Sequence, residues 1–115
     1  MPHRPMPSER SSVTRKVKIG DLEGYVTVGM YEDGTVGEVF LTFGQPGSFE
    51  RGLCHALALV ISLALQRGVS LEKICEKLTG LQFEPRGVTG DRDIPMVSSL
   101  ADYLGRWLSG KVKEA

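Results

Sequence analysis

The sequence predicts an α+β fold: an antiparallel meander of three to four strands packed by a long buried helix, with a short helix and a C-terminal amphipathic helix. Three observations predict it. Strand-like alternation fills the first half of the chain and helical periodicity the second, and strands grouped before helices favour α+β over a doubly wound parallel sheet. A tight-turn signal, Glu32-Asp33-Gly34-Thr35, separates two β-rich runs. One stretch, Leu53 to Leu65, is apolar almost all round and long enough to be a helix.

Met1 to Ser12 is rich in Pro and Ser and carries Arg4 and Arg10, so it is expected to be a disordered basic arm. The folded domain is expected over 13–110. Val13, Arg15, Val17 and Ile19 alternate with polar residues, which suggests a strand, and Gly20-Asp21 reads as a turn. Glu23 to Tyr31 and Val36 to Phe43 form the hairpin around Gly34, which can take the positive φ that closes it. Val26, Val28 and Met30 should share one face with Val39, Leu41 and Phe43, leaving Tyr25 and Tyr31 on the open face.

Ser48 suits the N-cap of a helix running to about Arg67. Its apolar surface exceeds what one small sheet can cover, so the remainder is expected to meet other helices or a second subunit. Gly68 stops it, and Ser70 caps the next helix, whose Leu71, Ile74, Cys75 and Leu78 fall on one face. Gly80 suits its C-terminal cap. Leu81 to Glu84 is expected to be extended, an edge strand at most, and Pro85 to Pro95 reads as a loop. A final helix is expected from near Met96, with Val97, Leu100, Ala101, Leu104, Trp107 and Leu108 along its apolar stripe and an Asp102–Arg106 pair beside it. Residues 111–115 read as a charged tail.

The 115 residues carry 14 basic and 14 acidic groups, which argues against a broad nucleic-acid or membrane binder. A chain of this size buries roughly 65% of its unfolded surface and needs no staple. The two cysteines, Cys54 and Cys75, lie in apolar helical patterns and are expected to be reduced, buried thiols. With only His3 and His55 beside them, no zinc site and no metal are expected. There is no secretory signal pattern, and the apolar run Leu53–Leu65 is shorter than the roughly 18–20 residues of a membrane span. A cytoplasmic protein, with no membrane partner, is expected.

The most function-like segment is Phe83 to Pro95, FEPRGVTGDRDIP. Glycine lets backbone approach a ligand, exposed amides in such turns cradle anions, and arginine holds phosphate or carboxylate bidentately. The candidate ligand-binding residues are Glu84, Arg86, Gly87, Thr89, Gly90, Asp91 and Arg92. The competing reading is a connector whose Asp and Thr cap its own backbone. No Walker loop and no Rossmann fingerprint occurs. Glu32, Asp33, Glu38, Asp91 and Asp93 supply carboxylates, but Glu32 and Asp33 should be wet at the hairpin tip. His55 reads as a hydrogen-bonded core or interface residue, and its neighbour Cys54 points about 100° away, so the two form no nucleophile–base pair. No catalytic residue and no cofactor is therefore expected.

YVTVGMYEDGTVGEVFLTF, GLCHALALVISLALQRGVSLEKICEKL, FEPRGVTGDRDIP and SSLADYLGRWL together resemble the TSCPD domain, the module at the C-terminal end of cobalamin-dependent ribonucleotide reductases. The resemblance runs from about Val13 to Leu108. It implies an accessory domain and no reductase on its own, because the reductase's barrel, its redox cysteines and its cobalamin site have no counterpart here, and no cysteine follows Cys75. Where the family usually reads FEPSG, Arg86 replaces the small residue. Three functions stay open: an accessory or regulatory module of nucleotide metabolism that binds a nucleotide-like ligand or a reductase large chain, a free-standing protein that sequesters a small nucleotide-derived molecule such as a signalling nucleotide, and an enzyme. A homodimer is expected, through the apolar helix or the open face of the sheet.

Overall fold

The computed structural model describes residues 3–112; Met1, Pro2 and the last three residues of the expected tail lie outside the described residues. β1 (Ser12–Ile19), β2 (Leu22–Met30) and β3 (Val36–Phe43) form an antiparallel sheet in sequence order. Val26 opposes Leu41 and Val28 opposes Val39, and with Val17, Ile19 and Phe43 they make the buried inner face the alternation predicted. The hairpin turns at Gly34, whose φ of +84° would strain any other residue. The Asp33 carboxylate locks it by accepting the Thr35 amide at 2.9 Å and its hydroxyl at 2.6 Å.

The pairing slips between Gly29 and Met30, so Met30 faces Val36. Tyr31, expected on the open face, therefore lies beyond the end of β2 and is only 6% exposed, whereas Tyr25 stays outside. What covers Tyr31 is the N-terminal arm. The Arg4 guanidinium sits 3.6 Å from the ring centre, and the Tyr31 hydroxyl donates to the Arg4 carbonyl at 2.7 Å. The Arg4 amide then donates to the Gln66 carbonyl at 2.8 Å. Arg10 pairs with Glu38, its Nη2 donating at 3.1 Å. The residues of the arm from His3 onward, expected to be a solvated tail, thus follow a defined path, because a ring and a carboxylate at the sheet's end give them partners.

α1 (Phe49–Gln66) starts at Ser48, whose Oγ accepts the Arg51 amide at 3.1 Å. It is not the buried helix expected: of its own residues only Ala58 and Ile61 are buried. It lies along the edge of β3, where Ser62 receives the Val39 amide at 2.9 Å and donates to the Val39 carbonyl at 3.1 Å. Gln66 Nε2 donates to the Gly37 carbonyl at 3.0 Å. α1 thereby satisfies backbone groups that an edge strand would leave open. By length and composition alone, α1 is also apolar enough to cross a membrane.

α2 (Leu71–Leu78) packs on α3 (Leu100–Ser109), and α3 packs on the sheet, burying Tyr103, Leu104 and Leu108 completely. A Cβ at Gly105 would lie 2.5 Å from Thr79 Oγ1, so the end of α2 approaches α3 as closely as glycine permits. Two expectations need correction here. Leu81–Glu84 forms no strand, although the Phe83 amide donates to the Ser98 carbonyl at 3.1 Å. A two-stranded ribbon forms instead, β4 (Gly87–Val88) with β5 (Met96–Val97). Because β5 holds Met96 and Val97 extended, α3 begins only at Leu100, where the Ser99 hydroxyl accepts the Asp102 amide at 2.9 Å.

Candidate functional site

The loop singled out in the sequence is the ribbon and its tip, and the structure divides its candidates into two groups. Thr89 and Asp91 are buried. The Thr89 amide donates to the Pro95 carbonyl at 2.9 Å, its hydroxyl donates to the Ile94 carbonyl, and the same hydroxyl accepts the Asp91 amide at 3.0 Å. The Asp91 carboxylate accepts the Asp93 amide at 2.9 Å and the Tyr103 hydroxyl at 2.7 Å, and lies 3.5 Å from the Arg15 guanidinium. Thr89 and Asp91 thus pin the tip to α3 and β1. Burial pushes the Asp91 carboxyl up, but the Tyr103 hydroxyl, the Asp93 amide and Arg15 outweigh it, and the group titrates below its ordinary value. Burial, and after it the contact with the Asp91 carboxylate, pushes the Tyr103 phenol well above its ordinary value.

Glu84, Arg86, Gly90 and Arg92 are exposed, and Gly87 is partly so. Arg86 Nε lies 2.7 Å from the Glu84 carboxylate. Gly87 has φ +127° with nothing within 4 Å of where a Cβ would stand, an open stretch of backbone. Among the described residues no carboxylate pairs with Arg92.

The first half of this loop borders a feature that the sequence reading missed. Leu81, Phe83 and Pro85 form one wall of an open cleft of about 590 Å³. Phe49, Leu53, Leu57 and Val60 of α1 form the facing wall, and Leu22, Leu78, Leu100 and Ala101 line the rest. Charge enters only at Glu50 and Glu84. Phe49 is 76% exposed and Val60 63%, and Phe83 is exposed as well. The signal that could have found it is the 4-3-4-3 spacing of Phe49, Leu53, Ala56, Val60 and Leu63, which sets one stripe opposite the residues facing the sheet. A larger hollow, of about 690 Å³, lies beside the arm and the hairpin tip, but its walls mix Glu9, Glu32 and Lys111 with Val13, Met30 and Val36, and its Arg10 is engaged by Glu38.

Nothing in either place forms a nucleophile–base–orienter set. His55, expected in the core or at an interface, is exposed on α1. The Cys54 thiol, half-buried, is pushed up by burial and by the nearby Glu50, which keeps it protonated. Asp33 is held down to about 2 by the Thr35 hydroxyl and amide, so it is an exposed, ionised carboxylate. Glu38 is buried against Arg10. Among the described residues, no three His, Cys, Asp or Glu are grouped to hold a metal ion.

Comparisons with known proteins locate this arrangement. Vitamin B12-dependent ribonucleotide reductase of Rhodopirellula baltica is 42% identical over 103 residues, which are 90% of this chain and 10% of that protein. The Streptantibioticus cattleyicolor enzyme of the same name is 39% identical over 104 residues, 17% of its length, and that of Agrobacterium fabrum 36% over 105 residues, 8% of its length. The chain thus spans a small fraction of the relatives it matches. No solved structure matches it. The sequence profile of the TSCPD domain matches residues 2–110, which takes in the arm, the sheet, the pinned loop and all three helices. By that match the chain belongs to the TSCPD domain family.

Proposed function

We propose that this chain is a non-catalytic accessory module of nucleotide metabolism, and that it works by docking on a protein partner through the apolar cleft. The carrying observation is the cleft itself: about 590 Å³ walled by aliphatic and aromatic side chains, with charge only at two glutamates. A site that reads a small polar molecule needs several convergent donors and acceptors. A site that takes side chains of another protein needs an apolar centre with a polar rim, which is what Phe49, Phe83 and Glu84 provide. The relatives suggest the partner. A B12-dependent ribonucleotide reductase large chain, in the cytoplasm, is the first protein to try.

The test uses purified protein and a B12-dependent reductase chain, with association followed by sedimentation velocity. A complex lost in Phe83→Glu but kept in Thr42→Glu, on the far face of the sheet, supports the reading. Equal binding by both variants overturns it.

A second reading has one observation in its favour. Arg86, beside the cleft and paired with Glu84, could hold the phosphate of a nucleotide-like molecule whose base enters the cleft. The protein would then bind or sequester that molecule without turnover. A thermal-shift screen of ribonucleotides, deoxyribonucleotides, cyclic nucleotides and cobalamins tests it. Ligand at about a hundred times its dissociation constant adds about 2.7 kcal/mol, and Arg86→Ala should remove that gain.

A further inference from the structure

We infer that the outward face of α1 is a self-association seam, on which a second copy of this chain lays its own α1 antiparallel. The inference shares Phe49, Leu53, Ala56 and Val60 with the cleft and so rests on the reading of that face as a docking surface. Its evidence is the order of residues along the helix. Phe49, Leu53, Ala56, Val60 and Leu63 repeat at the spacing of a coiled-coil seam, and all five are exposed. They point directly away from Ala58, which faces the sheet.

The seam is also complementary to its own reverse. Two copies related by a two-fold axis at residue 58 set Leu53 against Leu63 and Ala56 against Val60, small opposite large, so the surfaces interdigitate. Between Gly52 and Gln66 the helix carries no acidic residue, lysine or arginine, so no like charges meet along the pair. The charges stand at the ends. Arg67 of one copy arrives at Phe49 and Glu50 of the other, and both charged groups are exposed without an ion pair among the described residues. A parallel pair would instead stack Glu50 on Glu50 and Arg67 on Arg67. Antiparallel packing further sets the positive end of one helix dipole beside the negative end of its neighbour. The 18 residues of α1 run about 27 Å, two and a half heptads of contact. Self-complementarity in register is what an isologous interface requires, and an unrelated partner or a lipid surface would not impose it.

The experiment is sedimentation equilibrium of the full chain over a micromolar range. Leu63→Glu is the first variant, since Leu63 is exposed and lies outside the cleft lining. The expected result is a dimer of the 12.6 kDa chain, weakened at least about tenfold by Leu63→Glu while thermal unfolding shows the monomer still folded. Glu50→Arg should weaken it, and Glu50→Arg combined with Arg67→Glu should restore it. In a Cys54→Ala background, a mixture of Ala56→Cys and Val60→Cys proteins should form disulfide-linked pairs faster than either alone. A monomer at every concentration overturns the inference, as does Ala56→Cys linking to itself as fast as to Val60→Cys. Binding to phosphatidylcholine vesicles that is lost in Leu63→Glu, with no dimer in solution, also overturns it in favour of a membrane surface. Because the second copy and the reductase chain would compete for Phe49, Leu53, Ala56 and Val60, a wild-type chain that stays monomeric yet captures the reductase defeats this inference alone, and a Leu63→Glu monomer that captures none defeats the docking function alone.

Discussion

Asp91 and Asp102 show how much of this small domain depends on single carboxylates. Asp102 is buried and accepts the Gly80 amide at 2.8 Å and the Ser98 amide at 2.9 Å, tying the end of α2 and the exit of β5 to α3. Burial raises its carboxyl, but those two amides and Arg106 hold it below the ordinary value, as Tyr103, Asp93 and Arg15 do for Asp91. A depressed folded value means that the stability is present above the unfolded value, near 3.8, and is lost as pH falls through the folded one. Urea unfolding followed across pH should therefore show a steep loss below about pH 4, and Asp91→Asn or Asp102→Asn should start less stable and fall less steeply. Tyr103→Phe should cost about 1–3 kcal/mol at neutral pH by leaving Asp91 short of a donor. The i, i+4 spacing of Asp102 and Arg106 was legible in sequence, and the pair forms at 3.5 Å. The two amides that Asp102 also accepts were not: Gly80 lies 22 residues away, and Ser98, four residues earlier, falls in the stretch that reads as helix in sequence. Thr89 and Asp91 were singled out for the same chemical reason that makes them useful inside: a polar side chain in a glycine-rich loop serves a ligand or the loop's own backbone, and residue type alone does not distinguish the two.

The elements were legible where one periodicity dominated. The meander, the three helices and the Ser48 and Ser70 caps follow from alternation, turn chemistry and capping. The β4–β5 ribbon was hidden because Met96, Val97, Leu100 and Ala101 also satisfy a helical stripe. Ser99 followed three residues later by Asp102 was the available signal for the later start of α3. Ser62, which interrupts the apolar run of α1, is what fastens that helix to β3. Ser62→Ala should destabilise by about 1–2 kcal/mol and accelerate hydrogen exchange at the Val39 amide in particular. Gly105→Ala tests the α2–α3 approach. Its methyl group meets Thr79, so a loss of about 1–3 kcal/mol is expected by denaturant titration, against the gain that alanine gives in an open helix.

For the whole molecule, the sequence indicated that α1 has more apolar surface than its sheet can cover, and the structure puts that surplus on the outside. Of the two covers expected for that surplus, other helices or a second subunit, the helices of the same chain do not supply one, since only Ala58 and Ile61 of α1 are buried. A helix apolar on all sides records the sum of its contacts and does not say which of them lie in another molecule. The arm is the converse case, polar and proline-rich in composition yet placed over Tyr31 and against α1. Deleting residues 1–10 should uncover Tyr31 and leave Glu38 without Arg10, and a thermal melt should shift down by several degrees, about 4–8 °C for each kcal/mol lost.

The fastening of α1 along β3 has a further consequence. With Val39 and Gly37 already bonded to Ser62 and Gln66, that edge of the sheet offers little to an incoming strand. The opposite edge, β1, is met by Thr89 at Ile19 and elsewhere presents Arg15, Lys16 and Lys18. Neither edge is a template for fibril growth. Crowding this protein should therefore not recruit strands onto the sheet, and concentrated solutions should stay clear instead of gelling into cross-β aggregates.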